Sequence, residues 1–164
     1  MVHKVGYTRE SLREYAKPGE SLWAAHMNGG LIRLWYDTTA WMLFPVDDPR
    51  KLMFEHRSGR AQAIAMAETV VIAPEDLRRF AMENLNLGSS PAEIRKTEMR
   101  RVNGREMLYV RAGVVTGGEP LTCIAEYYSG RSGTLQLLVF IQESDTAAIA
   151  GTIESLLNGA NPQR

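Results

Sequence analysis

Three short turns in the C-terminal half constrain this chain more than any other feature. The strand-like runs EIRKTEMRRV, REMLYVRAGVV, LTCIAEYY and TLQLLVFIQ are separated by Asn103-Gly104, by TGGEP and by GRSG. Asn-Gly is the strongest short hairpin signal, because a two-residue hairpin turn needs two successive positive φ angles. A parallel crossover needs a dozen or more residues, which none of these connections has. Residues 93–142 therefore read as an antiparallel meander.

The remainder supplies what a meander needs to bury itself. After Asn28-Gly29-Gly30 come LIRLWYD and AWMLF, either one long bent strand or two short ones, and VDDPR reads as a loop. KLMFEHR and AQAIAMAETVVI flank Ser58-Gly59 in the pattern of a hairpin. Ala61, Ala63, Ala65 and Ala67 share one face of the second run, which suggests close packing under a helix. The next element fits that role: Pro74 suits a first helical position, Glu75 and Asp76 suit the N-terminal dipole, and Leu77, Phe80, Ala81 and Leu85 form a stripe before Gly88. A final helix is expected from a cap at Ser144 or Asp145, with Ile149, Ile153, Leu156 and Leu157 on one face and Asn158-Gly159 closing it. A short helix is also expected over residues 8–16, ended by Lys17-Pro18-Gly19. The resulting fold class is α+β, with a central antiparallel sheet of about five to seven strands flanked by helices as an α/β/α sandwich. Residues 1–30 read as an N-terminal extension, 31–159 as a single α+β domain and 160–164 as a tail.

Composition narrows the functional classes. The chain has 164 residues, enough to bury a core without disulfides or metal, and 19 basic side chains balance 19 acidic ones. No global field exists to attract nucleic acid or anionic lipid. The expectation is no nucleic-acid partner. One cysteine, Cys123, forms no internal disulfide and fits a reducing compartment; with no apolar leader in MVHKVGYTRESLREYAKPGE, a cytoplasmic location is the default. No apolar stretch approaches the ~18 residues of a membrane span.

Several local strings resemble the PsbP-like superfamily, which includes the photosystem II extrinsic protein PsbP, a nuclear-import factor that binds the GTPase Ran, and many uncharacterised bacterial proteins. They are RVNGREMLYV, the hairpin EYYSGRSGTLQLLVF, the closing LLNG, the earlier Trp-containing strand and the step ETVVIAPEDLRRFAMENL. The resemblance covers roughly residues 31–159 and implies an antiparallel sheet sandwiched by helices. It lies in turns and core strands, so it implies a binding or assembly role more than a reaction.

Catalytic spacing is weak throughout. His3, His26 and His56 are mutually distant, with no His-Glu-x-x-His or Cys-x-x-Cys, so neither metal nor cofactor is expected. Cys123 alternates with Leu121, Ala125 and Tyr127 and reads as a small core residue rather than a nucleophile. Ser132 in Gly-Arg-Ser-Gly lacks the spacing of a nucleophile elbow, and Gly29-Gly30 and Gly117-Gly118 read as turns, not phosphate cradles. Asp47 and Asp48 read as a solvated loop. Arg95, Lys96, Arg100 and Arg101 are diluted by Glu93, Glu98 and Glu106. The aromatics remain: Trp23, Trp41 and Tyr128 are the candidate binding residues, since exposed Trp and Tyr anchor interfaces, whereas a two-faced core would bury them with Trp35, Tyr36 and Tyr127. The function expected is non-catalytic: a protein-binding or assembly module, whose partner is another protein or its own copy. The alternatives are a carrier or sensor of a small apolar ligand held between sheet and helix, and a cysteine-dependent hydrolase pairing Cys123 with His26 or His56.

Overall fold

The computed structural model of the chain describes residues 22–44, 46–86 and 91–164. The meander forms as its turns dictate. Strands β6 (Glu93–Val102), β7 (Arg105–Thr116), β8 (Glu119–Gly130) and β9 (Gly133–Ile141) pair antiparallel in succession. Asn103 and Gly104 have φ of 49° and 77°, and Gly117 and Gly118 have 58° and 80°. Both pairs thus show the two successive positive φ angles whose twist matches right-handed strands.

The hairpin of β4 (Lys51–His56) and β5 (Ala61–Glu68) also forms, and β3 (Trp41–Phe44) pairs on its outer side. Strand β5 then docks on β9, from Ala61 opposite Ile141 to Glu68 opposite Thr134. The result is a seven-stranded antiparallel sheet in the order β3-β4-β5-β9-β8-β7-β6. LIRLWYD and AWMLF are two strands in two different sheets. Strand β2 (Ile32–Asp37) lies in a three-stranded sheet between β1 (Leu22–Met27) and β10 (Ala160–Pro162). Both outer strands fall in the stretches read as extension and tail, 1–30 and 160–164. The expected helix over residues 8–16 lies outside the described residues.

Each face of the large sheet has its own core. Helix α1 (Pro74–Leu85) places Leu77 and Ala81 over Leu108, Val110, Ala112, Cys123, Ala125, Tyr127 and Leu138. The other face is covered jointly by the small sheet and by α2 (Ala150–Leu157), which contributes Ile153, Leu156 and Leu157. Burial on both sides explains why GTLQLLVFI of β9 is nearly continuously buried rather than alternating.

Two local expectations are corrected. The alanine row of β5 faces away from α1 and shares its core with Ile32, Leu34 and Tyr36, while Ile64 and Met66 pack on the helix side. That face belongs to the core that the small sheet and α2 cover jointly. The last helix starts later than a cap at Ser144 or Asp145 would place it. Glu143–Asp145 and Ala147–Ile149 are 3₁₀ turns, and α2 follows without a side-chain cap. Gly159 closes α2 against β2: a Cβ there would lie 1.9 Å from the Trp35 carbonyl oxygen, and the Trp35 amide donates to Gly159 O at 2.9 Å.

Candidate functional site

Alternation along β8 sends Cys123, Ala125 and Tyr127 to the α1 face, and alternation along β9 sends Gln136, Leu138 and Phe140 to the same face. Helix α1 packs over β7 and β8, close enough for Ala81 to be fully buried. Phe80 meets Tyr127 edge-on, with ring centroids 6.4 Å apart and planes at 90°. This seating leaves a groove of about 390 Å³ beside the helix, reaching over β9 and β5. Its floor is Met66, Leu138, Phe140 and Val114, and Asn84 and Leu85 from the last turn of α1 form its wall.

Glu68, Asn84, Thr116, Tyr127 and Gln136 add polar groups to the lining. Tyr127 and Gln136 face each other across β8 and β9 in register. The Tyr127 hydroxyl and Gln136 Oε1 are both buried and have no hydrogen-bond partner among the described residues. Burial raises the Tyr127 pKa, so its hydroxyl stays protonated and is a donor lacking an acceptor. A buried unsatisfied polar group costs about 1–3 kcal/mol, and such groups are rare in folded proteins. A cleft that combines an apolar lining with a few placed polar groups is the usual form of a small-molecule site.

A larger groove of about 590 Å³ lies on the same face, between the start of α1 and β6. Its deeper polar atoms are already engaged: Ser129 Oγ accepts from the Ile72 amide at 2.7 Å and contacts Thr134 Oγ1 at 2.8 Å, and the Tyr128 hydroxyl donates to the Arg164 carbonyl at 3.4 Å. On the opposite face a cleft of about 260 Å³ between α2 and the sheet is lined by Arg111 and Glu154, whose charges pair with Glu143 and Arg100.

Of the three aromatics proposed from sequence, two are core residues. Trp41 is 1% exposed, donates Nε1–H to the Thr152 carbonyl at 3.1 Å and stacks edge-on with His56. Tyr128 is 5% exposed, and Trp23 packs half-buried on the same core. The helix layer and the small sheet together cover both sheet faces, so these rings present no shared surface. Cys123 is fully buried on the α1 face, and burial pushes its thiol up to about 12. His56 is buried on the other face, its ring nitrogens 2.7 Å from Ser58 Oγ and 2.9 Å from Thr152 Oγ1. No Cys123–histidine contact exists among the described residues. Ser132 anchors the C-terminus by accepting from the Arg164 amide at 2.9 Å. Asp48 holds Arg50 within its own loop. In the basic cluster, Arg95 pairs with Glu93 and Glu143, Lys96 with Glu98, and Arg100 with Glu98 and Glu154.

One further buried group escaped the sequence reading. Glu126 is 1% exposed on the α2 face, both its carboxylate oxygens lack hydrogen-bond partners among the described residues, and burial lifts its pKa to about 8. Arg100, whose charge opposes that rise, lies 3.6 Å over the Tyr109 ring and is held by Glu98 at 2.5 Å and Glu154 at 2.8 Å. Glu126 is therefore a neutral acid at pH 7. The signal was present as a charged residue between Ala125 and Tyr127 in a two-sided strand. Gln136 carried the same signal inside TLQLLVF.

A seven-stranded antiparallel sheet with α1 on one face, and α2 with a small sheet on the other, is the PsbP-like fold. Cyanobacterial PsbP from Synechocystis is similar over 90% of this chain and 95% of its own, with a TM-score of 0.65 and 13% identity. A Pseudomonas aeruginosa protein of unknown function is similar over 76% of this chain and 99% of its own, with a TM-score of 0.58 and 10% identity. A Bacteroides thetaiotaomicron protein matches 83% of this chain and 46% of its own, with a TM-score of 0.58 and 11% identity. At these identities the likeness is one of fold. No family model and no curated protein matches the sequence. Among the described residues no helix is long and apolar enough to cross a membrane.

Proposed function

We propose that this protein is a carrier or sensor that holds a small, largely apolar molecule in the groove between α1 and the sheet. The observation that carries this reading is a groove of about 390 Å³ whose apolar floor, Met66, Val114, Leu138 and Phe140, is joined by the polar side chains of Glu68, Asn84, Thr116, Tyr127 and Gln136. Burial of two of the three rings that would have formed a protein interface, Trp41 and Tyr128, supports this reading over the interface one. It also needs no reactive group: the one thiol is buried and kept protonated.

Nile red, a neutral apolar dye, is the appropriate first probe. Its fluorescence should rise and shift to the blue with the wild-type protein, and the response should vanish in Leu138→Trp, which fills the groove. Met99→Trp, in the larger groove beside β6, should leave it unchanged. Dye binding that survives Leu138→Trp in a variant with native circular dichroism, or is lost in Met99→Trp, would place the site elsewhere and refute the proposal.

A further inference from the structure

The large sheet ends on one side in β3, a strand of 4 residues, and on the other in β6, a strand of 10. Among the described residues no strand pairs with the outer side of β6. Its ladder with β7 breaks between Ile94 and Lys96, where Arg95 has no register partner, so the regular part runs over residues 96–102, up to the Asn103-Gly104 turn. That two-residue turn makes Val102 and Arg105 a hydrogen-bonded pair. Alternation then points the backbone N–H and C=O of Arg101, Met99 and Thr97 outward, away from β7. An edge of this kind is a template for one more strand, and Met99 at its centre is 58% exposed.

We propose that β6 pairs antiparallel with β6 of a second copy, about a two-fold axis through Met99, so that the two large sheets run on into one. Two identical strands related by a two-fold axis normal to the sheet must place one residue opposite itself, because directly opposed side chains share a face. Charge and regularity then select the register. An axis at Lys96, Glu98, Arg100 or Arg101 would set that charged residue directly against its own copy, which is unfavourable. An axis at Thr97 would run the pairing into the irregularity at Arg95. Met99 is the midpoint of residues 96–102, so an axis there uses the whole regular segment. It sets Glu98 opposite the partner's Arg100 and Arg100 opposite the partner's Glu98, with Thr97 facing Arg101 and Lys96 facing Val102. No like charges are directly opposed. The axis also brings the two Met99 side chains together on the α1 side, where Met99 already lines a groove with Leu77 and Leu108. An interface of one strand edge belongs to the small, transient class, so in dilute protein β6 is a free edge. The pairing is independent of the groove over β9 and β5.

Sedimentation equilibrium of the full chain, over a dilution series reaching about 1 mM, measures the dimer directly. Thr97 is half-buried at the rim, and by symmetry it faces Arg101 of the other copy twice. Thr97→Glu should therefore tighten the dimer and Thr97→Lys loosen it, each on the order of fivefold at low salt, with the gap closing in high salt. An axis at Thr97 would instead put like charges against each other in both variants and loosen both. On the wild-type protein, dilution should move the amide resonances of Thr97, Met99 and Arg101 more than those of Glu98 and Arg100. A chain that is monomeric at every concentration, loosening by both substitutions, indifference to both, or dilution shifts that spare Thr97, Met99 and Arg101 would each overturn the proposal.

Discussion

Glu126 and Cys123 are the two residues whose chemistry is set most strongly by burial. An acid whose folded pKa is raised from 4.5 to about 8 releases its proton more readily in the unfolded chain. Below about pH 4.5 both states hold the proton and Glu126 contributes no pH dependence. Between 4.5 and 8 stability falls as pH rises, by on the order of a few kcal/mol across the window. Glu126→Gln, a neutral isostere, should therefore stabilise the protein increasingly toward pH 8 and above. Chemical denaturation of the two proteins at pH 4 and pH 9 checks this; a gap in stability that does not widen with pH would show that Glu126 stays protonated throughout or is not buried. Cys123 makes a second case. With its thiol at about 12 and no exposed surface, iodoacetamide should modify it at least ~100-fold more slowly in the native protein than in denaturant at pH 8. Rapid native labelling would revive the nucleophile reading.

At the scale of elements, the connection from α2 to β10 is the point where the small sheet, the last helix and the meander meet. Gly159 lets the chain pass against the Trp35 carbonyl, and Asn103, in the β6–β7 turn, donates to the carbonyls of Asn158 at 3.0 Å and Ala160 at 2.8 Å. Gly159→Ala would press a methyl into backbone, which cannot swing aside as a side chain can. It should cost about 2 kcal/mol or more in urea unfolding, whereas Gly151→Ala, whose added Cβ meets nothing within 4 Å, should cost little or stabilise α2. Similar losses in both would mean that Gly159 is chosen for something other than close approach. The elements themselves were readable because each carries a local cause. Asn103-Gly104 and Gly117-Gly118 have the positive φ angles their residue types favour, and Pro74, Glu75 and Asp76 mark the start of α1. The start of α2 was misjudged because Ser144 and Asp145 fall in a 3₁₀ turn with no side-chain cap, so a residue suited to capping did not cap.

For the whole molecule, sheet order sets which parts open first. Strands β8 and β9 are paired on both edges and covered on both faces, while β3 and β6 are edges. Amide exchange should be slowest in β8 and β9 and fastest, within the large sheet, in β3 and β6. Equal protection of β6 and β9 in a hydrogen-exchange experiment would contradict this order. By itself, the sequence determined the strands, their hairpin partners, the α1 stripe and the absence of catalytic spacing, since all of these depend on residues near one another in the chain. Only tertiary structure decided that β5 pairs with β9, that the alanine face of β5 lies away from α1, and that Trp41 and Tyr128 are interior. It alone brought Tyr127 and Gln136 together in a groove that α1 leaves open. Periodicity tells a residue which of two faces it occupies, but what covers that face depends on contacts between distant segments, and the groove exists only where such covering stops short.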